Sequence, residues 1–125
     1  MLANAPTTTM LPVVDLDRAR KFYEDCLGLT PLGHPPDGKY RYAVGGATLA
    51  LFPKPDGTKA DHTAVSFQVA DIQAEIAELT ARGVVFEDFD LPGLKTEAHV
   101  CVLGSEKAAW FKDTEGNYLC IHQDL

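Results

Sequence analysis

The sequence predicts an α+β fold made of two tandem βαβββ modules related by pseudo-symmetry. A Val-x-Asp tripeptide opens an amphipathic stretch twice, at Val13–Asp15 and at Val69–Asp71. Each stretch closes on a glycine, Gly28 and Gly83. Each half then ends in a hairpin signal, Gly45-Gly46 in the first and Glu115-Gly116-Asn117 in the second. Asp15 and Asp71 lie 56 positions apart, Gly28 and Gly83 lie 55 apart, and Gly46 and Gly116 lie 70 apart. The extra length falls in the middle loops of the second half, where insertions are tolerated best. The 125 residues form one domain, with module one over 5–53, a linker over 54–61 and module two over 62–125.

Thr7–Val14 is rich in β-branched and apolar residues and reads as a strand. Pro12 inside it places that strand at a sheet edge or beside a bulge. Asp15 or Asp17 caps a helix, because a carboxylate there meets free N–H groups and the positive end of the dipole. Leu16, Ala19, Phe22, Tyr23, Cys26 and Leu27 follow helical spacing, and Gly28 takes the left-handed C-cap. Leu29–Gly33 is extended, and the cluster from His34 to Lys39 is a turn. Tyr40–Val44 and Ala47–Phe52 form a hairpin about Gly45-Gly46.

The second half repeats that order. His62–Ala70 alternates as a strand, with Val65, Phe67 and Val69 on one face and Ala64, Ser66 and Gln68 on the other. Asp71 caps a helix that buries Ile72, Ile76 and Leu79. Val84–Asp88 is extended, Asp90–Lys95 is a loop about Pro92-Gly93, and Glu97–Leu103 is a strand. Ala108–Lys112 and Tyr118–His122 make the closing hairpin.

Composition narrows the function classes. A net charge of −7 argues against nucleic acid, which calls for concentrated Lys and Arg. No apolar run approaches the roughly 18 residues that cross a bilayer. The N-terminus has neither a basic start nor an apolar core, so no secretion signal is expected. Cys26, Cys101 and Cys120 form no CxxC pair and no even framework, which points to free thiols and a cytoplasmic setting.

Val13-Val14-Asp15-Leu16-Asp17 with Phe22-Tyr23-Glu24-Asp25-Cys26-Leu27-Gly28-Leu29 resembles the signature of the vicinal oxygen chelate superfamily. That group includes glyoxalases, bleomycin-resistance proteins, fosfomycin-resistance enzymes and extradiol dioxygenases. Phe67–Ile72 resembles the start of its second module, and Trp110–Asn117 resembles its closing hairpin. The resemblance implies that each module curls a curved mixed sheet into a cup. In metal-using members the cup holds a divalent ion on the first and last strands of each module, acting as a Lewis acid. The corresponding positions here are Thr8, Ala50, Ala64 and Cys120. Two alanines offer no lone pair, and a neutral hydroxyl with one thiol does not hold an oxygen-loving ion. No metal and no cofactor is therefore expected.

The strand phase instead places Cys120, His122, Ser66 and His62 on the cup side. Trp110, Phe52 and Tyr42 are read as an apolar, aromatic lining suited to a flat small molecule, with Met10 beside them. The leading expectation is a metal-independent small-molecule-binding protein, its ligand in the cup or at the interface of a homodimer. The alternative is a metal-dependent lyase, isomerase or dioxygenase with a ligand set from His62, His99 and His122. A third reading is a closed cup serving only as an interaction module. The sequence alone does not decide whether a reaction is catalysed.

Overall fold

The structure, a computed structural model, describes residues 1–125. The chain divides into two compact units, Met1–Lys59 and Ala60–Leu125. The first contains β1 (Thr8–Val13), α1 (Leu16–Lys21) continued by a π-helical turn (Phe22–Cys26), β2 (Thr30–Gly33), β3 (Tyr40–Val44) and β4 (Ala47–Pro53). The second contains β5 (Thr63–Gln68), α2 (Ile72–Ala81), β6 (Asp90–Leu91), β7 (Leu94–Lys95), β8 (Cys101–Leu103), β9 (Glu106–Lys112) and β10 (Tyr118–Asp124).

Each unit builds one curved four-stranded mixed sheet, ordered β1-β4-β3-β2 in the first and β5-β10-β9-β8 in the second. In both, the first strand runs parallel to the last and the remaining pairs are antiparallel. The two sheets thus repeat one topology, as the doubled sequence pattern predicts. Pro12 is tolerated because β1 is an edge strand, paired only with β4. Asp15 caps α1 by accepting from Arg18 N at 3.0 Å, and Asp71 caps α2 from Ala74 N at 3.1 Å. Gly28 (φ 71°) and Gly83 (φ 100°) turn the chain out of each helix in left-handed geometry.

Strand register decides which side chains share a face. In the first unit Leu11, Tyr40, Tyr42, Leu49 and Leu51 line one face, buried with Ala19, Phe22 and Tyr23 of the helix. Thr8, Met10, Arg41, Ala50 and Phe52 occupy the opposite, helix-free face. In the second unit Ala109, Phe111, Leu119 and Ile121 are buried with Ile72, Leu79, Val84 and Phe86. Complete burial of side chains such as Ile72 and Leu119 contributes roughly 2 kcal/mol apiece. The helix-free face of that sheet carries Glu106, Ala108 and Trp110 beside Cys120, His122 and Asp124, with Ser66 and Gln68 in the neighbouring strand.

Module two departs from the predicted elements in its middle. The strand predicted over Glu97–Leu103 shrinks to Cys101–Leu103, because Ala98 (φ 50°) and His99 (φ 72°) take left-handed backbone that a strand cannot contain. Asp90–Lys95, predicted as a loop, is a miniature hairpin in which Asp90 pairs with Lys95 and Leu91 with Leu94. Gly93 at φ 77° makes its turn. Val84–Asp88 joins the sheet only at the Phe86–Phe111 bridge.

Candidate functional site

The candidate site of module two is floored by Trp110, half-buried on β9. Its indole N–H donates to Thr63 Oγ1 at 3.0 Å, tying β9 to the start of β5. Phe89 meets the indole edge-on, with ring centroids 5.7 Å apart. The β6–β7 hairpin beyond Phe89 is clasped at its base: Thr96 N donates to Phe89 O, and Phe89 N donates to Thr96 Oγ1, both at 2.9 Å. Thr96 Oγ1 also contacts Asp88 Oδ1 at 3.1 Å. A hollow of about 400 Å³ opens here, lined by Trp110, Phe89, Leu91, Leu94, Tyr118 and His62, with Asp61 and Thr63 also on its wall. That volume and mixture suit a small apolar molecule with a few polar groups to orient it.

Cys120 lies directly opposite Trp110 across the β9–β10 pair and next to Ser66 across the β10–β5 pair. It is only 4% exposed. Burial pushes its thiol up, partly offset by a hydrogen bond with Ser66. The sulfur is therefore a protonated, buried group rather than a thiolate nucleophile. His122 stands two residues further along the same face, its Nδ1 2.6 Å from Ser66 Oγ. Of the predicted site residues, Cys120, Ser66 and His122 form one hydrogen-bonding neighbourhood, and His62 and Trp110 share the hollow.

The four positions that the resemblance assigns to an ion, Thr8, Ala50, Ala64 and Cys120, do not offer a donor set that fits one. Ala50 is fully buried and Ala64 exposed, and neither has a donor atom. Thr8 carries a neutral hydroxyl, and Cys120 keeps its proton. No step is assigned to a metal at these four positions. His62, His99 and His122 also have separate surroundings. His62 lines the hollow; His99 Nδ1 pairs with Asp88 Oδ1 at 3.0 Å beside Phe86; His122 binds Ser66. No cluster of three ligand side chains contains two of them.

In module one Phe52 is half-buried on the helix-free face opposite Pro12. Tyr42 is on the other face. It is fully buried beneath α1, its hydroxyl donating to Glu24 Oε2 at 2.8 Å. Glu24 also receives Arg20 Nε at 3.1 Å, and the Arg20 guanidinium lies 4.0 Å above the Tyr40 ring. Burial and the Glu24 carboxylate raise the Tyr42 phenol well above its ordinary value, so it remains a neutral donor. Tyr42 thus belongs to the core that positions the helix.

Arg41, the half-buried cross-strand neighbour of Ala50, stands in no sequence motif. Its Nε is buried without an acceptor. A buried donor left unpaired costs about 1–3 kcal/mol. Arg41→Met keeps the aliphatic stem and removes the orphan, and is expected to raise stability by about 1 kcal/mol in urea unfolding. A loss of stability would show that the guanidinium is held by an interaction this geometry does not contain. The two-residue Gly45-Gly46 turn was the available signal, since it fixes the register that sets Arg41 opposite Ala50. Phe89, Leu91 and Leu94 likewise belong to no motif, and the Pro92-Gly93 turn is the one local signal of their hairpin.

The model of the Glyoxalase/Bleomycin resistance protein/Dioxygenase superfamily matches residues 6–121. The chain belongs to that superfamily. Among solved structures it is similar to TnmS3, an antibiotic binding protein from Streptomyces sp. CB03234, at 23% identity and TM-score 0.77, over 100% of this chain and 99% of that one. It is similar to lactoylglutathione lyase from Agrobacterium tumefaciens at 20% identity and TM-score 0.71, over 96% and 93% of the two chains. The fosfomycin resistance protein FosX from Listeria monocytogenes matches at 16% identity and TM-score 0.72, over 98% and 92%. At these identities the likeness establishes the fold. No curated protein matches the chain in sequence.

Proposed function

We propose that this protein binds a flat, largely apolar small molecule in the hollow over Trp110, without a metal ion. The observation that carries the reading is the pairing of Trp110 with Phe89 around a volume of about 400 Å³ whose wall also offers Thr63, His62 and Asp61. An aromatic floor supplies area and stacking, while the few polar groups orient the ligand. The lack of suitable donors at Thr8, Ala50, Ala64 and Cys120 supports metal independence, and the likeness to an antibiotic binding protein is in keeping with small-molecule binding. The proposal includes a homodimer and a cytoplasmic setting, the latter in keeping with three free cysteines.

Trp110 is the only tryptophan, so its emission reports on the site directly. Titration with a panel of flat aromatic antibiotics, in buffer containing EDTA, is expected to quench that emission saturably for at least one compound at one ligand per chain. A compound that binds by calorimetry yet leaves the emission unchanged would move the site elsewhere. Quenching that vanishes in EDTA would overturn metal independence.

A further inference from the structure

We infer that Glu106, His122 and Asp124 form a divalent-cation site, of the zinc type, at the end of the β9–β10 pair away from Trp110. The inference does not rest on the ligand reading above, since four residues of strand, about 13 Å, separate Glu106 from Trp110.

Asp124 sits directly opposite Glu106 in the antiparallel register, and His122 lies two residues before Asp124 on the same face. One ligand atom from each of the three lies within 4.8 Å of the others. Two carboxylates facing each other across a strand pair repel, and a cation between them removes that penalty. No lysine or arginine fills the role: the Glu106 carboxylate is half-buried with neither hydrogen bond nor ion pair, and Asp124 receives only the Gln68 amide, at 3.2 Å. His122 completes a mixed donor set. Ser66 Oγ engages its Nδ1 at 2.6 Å from outside the cluster. With the Nδ1 proton donated to Ser66, Nε2 keeps its lone pair for a metal, the usual way an outer hydrogen bond fixes a ligating imidazole. One imidazole and two carboxylates match zinc or a similar borderline ion, with three protein ligands and an open position for solvent. The site is distinct from Thr8, Ala50, Ala64 and Cys120, and it uses only one of the three histidines that the sequence singled out.

The test is calorimetric titration of the metal-stripped full chain with Zn²⁺, with Co²⁺ absorption as a second readout. One ion per chain is expected, with Co²⁺ bands of a four- or five-coordinate site. Glu106→Gln and His122→Ala should each weaken binding at least tenfold, while Cys120→Ser and His62→Ala leave it unchanged. Glu106→Gln relieves the carboxylate repulsion, so its melting temperature in the absence of metal should not fall. Three results would overturn the inference: no binding at millimolar Zn²⁺, affinity unchanged in both Glu106→Gln and His122→Ala, or affinity lost in Cys120→Ser.

Discussion

Trp110→Ala should lower the affinity of any ligand that quenches Trp110 emission by about 2 kcal/mol, roughly thirtyfold. The variant has no tryptophan, so binding would be followed by calorimetry. Trp110 is the largest side chain lining the hollow, and its removal also takes away the partner of Phe89 and the Nε1–H bond to Thr63. The effect on folding should be smaller, about 1 kcal/mol, because Trp110 is only half-buried, on the helix-free face of the sheet. Trp110→Phe separates the two contributions. It keeps an aromatic floor but loses the donor to Thr63, and should retain most of the affinity. If Trp110→Ala binds like the parent protein, the hollow is not the site.

The largest stability effect is expected at Asp113, between β9 and β10. This carboxylate is 6% exposed and accepts from Glu115 N at 2.8 Å, Asn117 N at 2.9 Å and Asn117 Nδ2 at 2.8 Å. Asp113 N donates back to Asn117 O at 3.0 Å. Asn117 is itself 3% exposed, so water does not readily replace these partners. Asp113→Ala leaves three donors without their acceptor and should cost about 3 kcal/mol in urea unfolding. Asp113→Asn should cost about half as much. Its carbonyl oxygen still receives both backbone N–H groups, and the Asn117 amide can turn its oxygen toward the new NH₂. A loss below about 1 kcal/mol in Asp113→Ala would mean that the turn is held by its backbone alone. Because this turn registers β9 against β10, the Asp113→Ala variant should also bind Zn²⁺ more weakly if Glu106, His122 and Asp124 act together.

The parts of this fold that local chemistry controls were legible in the sequence. Asp15 and Asp71 marked helix starts because a side-chain carboxylate reaches N–H groups three residues away, whatever surrounds it. Strand alternation put Cys120, His122 and Ser66 on one face because side-chain direction repeats every two residues. Tyr42 shows the limit of such reading. Its aromatic ring suited a ligand lining, yet the tight Gly45-Gly46 turn pairs it with Leu49 and turns it toward α1. The shortened β8 was hidden because nothing in Glu97–Leu103 forbids a strand; the left-handed pair Ala98 and His99 interrupts it. His99 then pairs with Asp88, eleven residues away in sequence.

The doubled βαβββ pattern and the capped helices follow from residue type and short spacing alone. That the Asp90–Lys95 hairpin places Phe89 against Trp110, and that Glu106 faces Asp124 beside His122, emerges only in the folded chain. Those meetings depend on loop closure and strand register across distant segments, where many pairings satisfy the same local preferences and packing selects one.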